Sequence, residues 1–262
     1  MGTVVLERRF AAIGARVKVI RTARERAARI DVGFDRRGEF FELRLAGSRS
    51  ASFEVVDADP DDRCLLLLVR EAGEKSKFLC GFDERHWFVA AIPESARGVT
   101  GVVSAKDALQ PDAVREAVAR VRPRDRFRRR NAAYVRQGEW FFLPVPGFAV
   151  DEKLVLPSEP LRRGNGGKPH WAEFCYRTGG ETVYVCSRHP NGVTEAQYKG
   201  ILAGSPKAKG WGWRTMRRNP GVYVKGRIRH ADHATITLHG WHQVVMNTEG
   251  QSKAMRNVAF LD

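Results

Sequence analysis

The sequence predicts an α+β fold, predominantly antiparallel β-sheet with few helices, organised as two units. Three features of the 262 residues carry that reading. Short alternating or continuously apolar segments recur, bounded by Gly, Asp, Asn and Pro, as strands and their turns are. Helical spacing is confined to a few stretches. A run of arginines between residues 120 and 136 separates a half with an acidic middle from a strongly basic half, which places the units at 1–122 and 123–262.

Residues 4–12 suit a short helix or a first strand equally, and 21–29 form a charged connector. Arg29 to Phe34 and Glu39 to Leu45 flank Asp35-Arg36-Arg37-Gly38 and read as a hairpin. Ser52 to Val56 continues the pattern up to a turn over residues 57–62. Cys64 to Val69 is apolar throughout, as a strand buried on both faces must be. Lys77 to Phe82 and His86 to Ile92 flank Asp83-Glu84-Arg85 as a second hairpin. Residues 107–121 place Val114, Val118 and Val121 at helical spacing, with Pro111 in the first turn. The arginine run follows, opposed only by Asp125, and reads as an exposed linker or a polyanion contact.

In the second half Glu139 to Val145 is strand-like, and 144–170 is a long connection rich in Pro and Gly. Glu173 to Arg177 and Thr182 to Ser187 flank Gly179-Gly180, a hairpin signal. Thr194 caps a short helix to Leu202. Strands follow at Val222 to Arg229, Ala234 to Leu238 and Trp241 to Met246.

Charge is the strongest global signal. Lys and Arg number 45 against 30 Asp and Glu, a formal +15. Residues 31–112 carry a net −5 and residues 113–262 a net +14. Positive potential concentrated in this way draws polyanions, while the acidic 31–112 stretch suits a protein partner. The longest apolar run, Leu65 to Val69, is far short of the roughly 20 residues of a membrane helix. No export signal precedes Arg8 and Arg9, so the expected compartment is the cytoplasm, with Cys64, Cys80, Cys175 and Cys186 as free thiols.

The most informative stretch is 221–241. Tyr223, Lys225, Arg227 and Arg229 alternate with Val222, Val224, Gly226 and Ile228 on a strand. A three-residue turn at Ala231-Asp232-His233 pairs Ile228 with Ile236 and keeps the apolar side together. It leaves a solvent face of Tyr223, Lys225, Arg227, Arg229, Thr235, Thr237 and His239, with Trp241 beside them. Cations interleaved with rings suit single-stranded nucleic acid, DNA or RNA. The preceding loop adds Lys207, Lys209, Trp211, Trp213, Arg214, Arg217 and Arg218. Lys209 to Trp213 shares its composition with an RNA-recognition signature but departs from it at Arg214 and Met216.

Two histidine sets carry weaker signals. His230, Asp232, His233, His239 and His242 crowd 13 residues, and His233 and His239 are the catalytic candidates. The expected register sets His239 across from Lys225 and turns His230 to the other face, so the set does not converge. His170, Cys175, Cys186 and His189 are tetrahedral-zinc residue types at an unusual spacing, and the expectation is a protein that folds without zinc. Arg163-Gly164-Asn165-Gly166-Gly167-Lys168-Pro169 lacks the first glycine and the Ser or Thr of a phosphate-binding loop. No cofactor motif is present. The expected function is nucleic-acid binding through phosphate contacts and base stacking. The alternatives are a histidine-dependent nuclease or metal-assisted hydrolase, and a structural subunit of a nucleoprotein or multiprotein assembly.

Overall fold

A computed structural model describes residues 3–22, 27–46, 51–162 and 168–252. Among them are sixteen strands and four α-helices in four sheets, paired antiparallel except between the first and third strands. No described helix is long and apolar enough to cross a membrane.

The first half runs α1 (Thr3–Ala12), β1 (Val17–Thr22), β2 (Arg29–Asp35), β3 (Gly38–Ala46), β4 (Ala51–Asp59), β5 (Cys64–Glu71), β6 (Glu74–Asp83) and β7 (His86–Ala91). The undecided N-terminus is thus a helix, burying Leu6 and Phe10, and part of the charged connector is strand β1, parallel to β3. The three-stranded sheet β1-β3-β2 and the meander β4-β5-β6-β7 share one core that includes Phe10, Ile30, Phe41, Leu43, Leu65 and Leu67. The other face of the meander buries Leu66 and Leu79 under α2 (Val102–Leu109). Alternate residues of β5 therefore enter different cores, which is why its sequence is apolar without alternation. The expected helix over 107–121 is instead two, α2 and α3 (Asp112–Val118), broken at Gln110-Pro111. A proline ring excludes helical backbone at the residue before it, so Gln110 is extended.

The second half is built on a six-stranded sheet. Its strands are β8 (Val135–Gln137), β9 (Trp140–Pro144), β10 (Leu156–Leu161), β11 (His170–Thr178), β15 (Gly221–Arg229) and β16 (Ile236–Met246), in the order β10-β11-β15-β16-β9-β8. Strand β10 lies inside the segment read as irregular. It sits at the sheet edge, where Pro157 and Pro160 are tolerated. Phe142, Cys175, Val224, Ile228 and Leu238 form the core on one face.

A small sheet, β13-β12-β14, comprises β12 (Glu181–Cys186), β13 (His189–Val193) and β14 (Arg214–Arg218), with α4 (Glu195–Gly204) beside it. Thr194 caps α4 in a capping box with Gln197, as the sequence suggested. The hairpin expected at Gly179-Gly180 does not form. Strand β11 pairs β15, and β12 pairs β14. One register links the two ladders: Thr178 faces Gly221 and Glu181 faces Arg218, so β11–β12 and β14–β15 make one long ribbon passing from the large sheet into the small one.

The arginine run is not a free linker. It winds around buried Tyr134, whose hydroxyl donates to the Arg126 carbonyl at 2.6 Å. Arg129 pairs with Asp83 and Glu84, and Arg136 reaches Asp83 at 3.3 Å. Part of the acidic first half therefore faces the chain's own cations, with the β6–β7 tip as the meeting point. Asp83→Ala leaves two arginines without this carboxylate. Because those arginines stay partly in water, the expected loss is only about 1–2 kcal/mol. Urea unfolding measures it, and an unchanged midpoint would show that the pairs hold nothing together.

Candidate functional site

Between the two halves lies a cleft of about 1000 Å³, walled by the β6–β7 tip and opening over Lys106, Tyr134 and Gly138. Three histidines meet at it. His170 begins β11, and its neighbour pair Trp171–Arg229 aligns it with the end of β15. His230 and His233 stand on the turn between β15 and β16. That turn keeps the expected pairing of Ile228 with Ile236. Gln137 secures it by donating to the Ala234 carbonyl at 2.7 Å, and the Ala234 amide donates to Glu84 at 2.9 Å.

The three imidazoles lie almost parallel, His170 to His230 at 4.1 Å and His230 to His233 at 4.7 Å between centroids. One ring nitrogen from each falls within 4.8 Å of the others. Gly138, at φ +57°, lies against them: a Cβ there would sit 3.0 Å from His233 Nε2 and 3.5 Å from His170 Nε2. His230 Nδ1 accepts from the Asp232 amide at 3.1 Å, so its Nε2 carries the proton and donates to the Lys168 carbonyl, also at 3.1 Å. His233 Nδ1 is 3.8 Å from Glu84 Oε2, too far for a hydrogen bond. His170 is 1% exposed, and neither of its ring nitrogens has a hydrogen-bond partner among the described residues.

Burial holds His170 and His233 neutral. It pushes His170 down to about 3, helped by the neighbouring His230 and His233, and His233 down to about 4. His242 is also lowered, by burial. Neutral imidazoles at a cleft present lone pairs to an electrophile or a proton donor, not charge to an anion.

The four residues of zinc-ligand type singled out in the sequence are divided. His170 is at the cleft and Cys175 is in the core of the large sheet, whereas Cys186 and His189 pair across β12 and β13 in the small one. The separation follows directly from the missing hairpin. All four cysteines are free and buried. The catalytic candidates part as well. His233 turns into the cleft, and His239 is exposed near a recess beside Arg130. His239 does not face Lys225, because a bulge between Val224 and Gly226 shifts the register and sets His242 opposite Val224. Of the glycine-rich loop, residues 163–167 lie outside the described residues; Lys168 pairs with Asp232 at 3.1 Å.

The outer face of the large sheet carries four of the residues expected to meet nucleic acid, Tyr223, Lys225, Arg227 and Arg229. Two cross-strand pairs set a ring against a cation, Trp171 opposite Arg229 and Phe174 opposite Lys225, and a third, Tyr176 opposite Tyr223, sets ring against ring. Lys225 lies 4.9 Å over the Trp241 ring and 5.6 Å from that of Phe174. Arg227 is held by Glu173 at 3.2 Å. Tyr223 stacks on Phe148 at 4.3 Å, which covers one of its faces. Trp171 and Phe174 were missed by the sequence reading and are 39% and 37% exposed, so these two rings remain open to a ligand. Their signal lay in β11, whose outward side is visible only once its partner is known.

In the small sheet Trp213 is already engaged. Its indole donates to the Ala208 carbonyl at 2.8 Å, and its ring lies between His189 at 5.5 Å and Tyr198 at 5.0 Å. Trp211 is capped by Arg188 at 4.3 Å. Arg218 pairs with Glu181, whereas Arg214 and Arg217 form no ion pair among the described residues and lie on an exposed strand, as Lys207 and Lys209 lie on an exposed 3₁₀ turn. No family model, curated protein or solved structure matches this chain.

Proposed function

We propose that the protein binds single-stranded nucleic acid along the outer face of the large sheet, with the basic edge of the small sheet extending the track. The observation that carries this reading is the pairing of exposed Trp171 and Phe174 with Arg229 and Lys225 across β11 and β15. A partly exposed ring on a sheet face can stack a base, and a cation one strand away places charge where a phosphate follows that base. The scatter of cations favours backbone contact over base reading. The ribbon continues the track from Lys225 to Arg217 and Arg214 without a change of register.

The test is fluorescence anisotropy with a labelled oligothymidylate and an oligouridylate. Affinity is expected to fall by at least about tenfold between about 50 and about 200 mM salt, since several phosphates are neutralised. Lys225→Ala combined with Arg229→Ala should flatten the salt slope by about one unit each. Trp171→Ala with Phe174→Ala should weaken binding about tenfold or more without changing that slope, each stacked base being worth about 1–3 kcal/mol. No binding at low salt, or equal binding by the ring-deleted variant, would overturn the reading.

A further inference from the structure

We propose that His170, His230 and His233 form a binding site for one divalent transition-metal ion, with zinc the best fit, whose remaining coordination position opens to the cleft. The site is separate from the outer face and rests on different observations. One nitrogen from each of the three imidazoles lies within 4.8 Å of the others, near enough for rotation of the rings to bring them to an ion at the usual Zn–N distance of about 2.0–2.1 Å. His170 is the strongest sign. A buried ring with both nitrogens unpartnered carries the full cost of lost hydration, and native proteins leave few such groups without a ligand. Gly138 supplies room, because any side chain at this position would fill the space that His170 and His233 share.

One of the three rings, His230, already has the partner a ligating histidine uses. Such a ring donates its second N–H to a carbonyl or carboxylate, which fixes its tautomer. His230 already donates Nε2–H to the Lys168 carbonyl, leaving Nδ1 as the ligand atom, for which an ion would compete with the Asp232 amide. His233 has Glu84 3.8 Å from Nδ1, with Nε2 turned toward Gly138. The ligand chemistry also selects the ion. Neutral imidazoles suit zinc, copper, nickel or iron in preference to magnesium or calcium, and the absence of sulfur from the set disfavours cuprous copper. Three neutral ligands leave the ion's two positive charges uncompensated, so its exchangeable ligand at the cleft is expected to be hydroxide or an anionic group such as a carboxylate or phosphate. This is the arrangement of zinc centres that activate water.

The experiment uses the full chain, stripped with a chelator and titrated with zinc, cobalt(II) and magnesium in turn, with calorimetry as the readout. One zinc ion per chain is expected, together with a visible spectrum of four- or five-coordinate cobalt and no magnesium binding. His230→Ala and His233→Ala change a surface turn, and each should lower zinc affinity at least about tenfold while circular dichroism stays unchanged. His239→Ala and His189→Ala should leave it unchanged. Wild-type protein that takes up no zinc, or zinc binding that survives loss of both His230 and His233, would overturn the proposal.

Discussion

Gly180→Ala is expected to lower stability by about 3 kcal/mol and Gly179→Ala by only about 1 kcal/mol, although the two glycines are adjacent and both have positive φ. The shared part is the left-handed backbone, at φ +67° and +76°, which a side chain tolerates at about 1 kcal/mol. The difference is space. A Cβ on Gly179 meets nothing within 4 Å, whereas one on Gly180 would lie 2.7 Å from the Arg218 carbonyl oxygen and 3.0 Å from Pro220 Cα. Those are backbone atoms of the opposite strand, so relief requires opening the ribbon where it leaves one sheet for the other. In a simple two-residue hairpin the two positions would lie at a solvent-exposed tip and cost about the same. Urea unfolding of both variants decides between the two topologies. Equal losses would mean that β11 and β12 turn back on each other after all.

The same glycine pair explains what the sequence concealed. Two consecutive glycines between alternating segments signal a hairpin, because such turns need positive φ at both central residues. The backbone here does have positive φ at both, yet the strands part to other partners. Local conformation was legible, but pairing was not. Non-local pairing depends on which apolar faces can be buried together, and Cys175 could be buried against β10 and β15 as readily as against a hairpin mate. Where the turn itself is the contact, as at Asp83 with His86 or Ile228 with Ile236, sequence and structure agree. The fold class was legible for the same reason, since it needs only the period of each segment. The histidine site was half legible. His230 and His233 lie three residues apart on one turn, but His170 joins them only through the β11–β15 ladder that the expected hairpin had ruled out. Trp171 and Phe174 stayed hidden behind the same error.

Metal-free protein is expected to lose about 3 kcal/mol of stability between pH 7 and pH 5, a large part of the roughly 5–15 kcal/mol typical of a folded protein. His170 and His233 are held near 3 and 4, below the 6.5 of an unfolded chain. For a histidine shifted in this direction the folded state favours the neutral ring. Its contribution is complete above the unfolded value and disappears as pH falls from there toward the folded one. At pH 5 the unfolded rings have taken up protons that the folded ones still refuse. Each fully buried ring then costs about 2 kcal/mol, and His233, nearer to water, costs less. Asp35 does not confuse the measurement. Asp35, held well below the usual range by hydrogen bonds from Arg16 and then Lys18, loses its contribution only when pH falls below its unfolded value near 3.8. Urea denaturation in the presence of a chelator, at both pH values, gives the difference. His170→Gln should reduce it by about 2 kcal/mol, because the amide does not titrate. Stability that is equal or higher at pH 5 would mean that the cleft histidines are solvated and protonated in the folded protein, and that the unpartnered nitrogens of His170 are not buried as described.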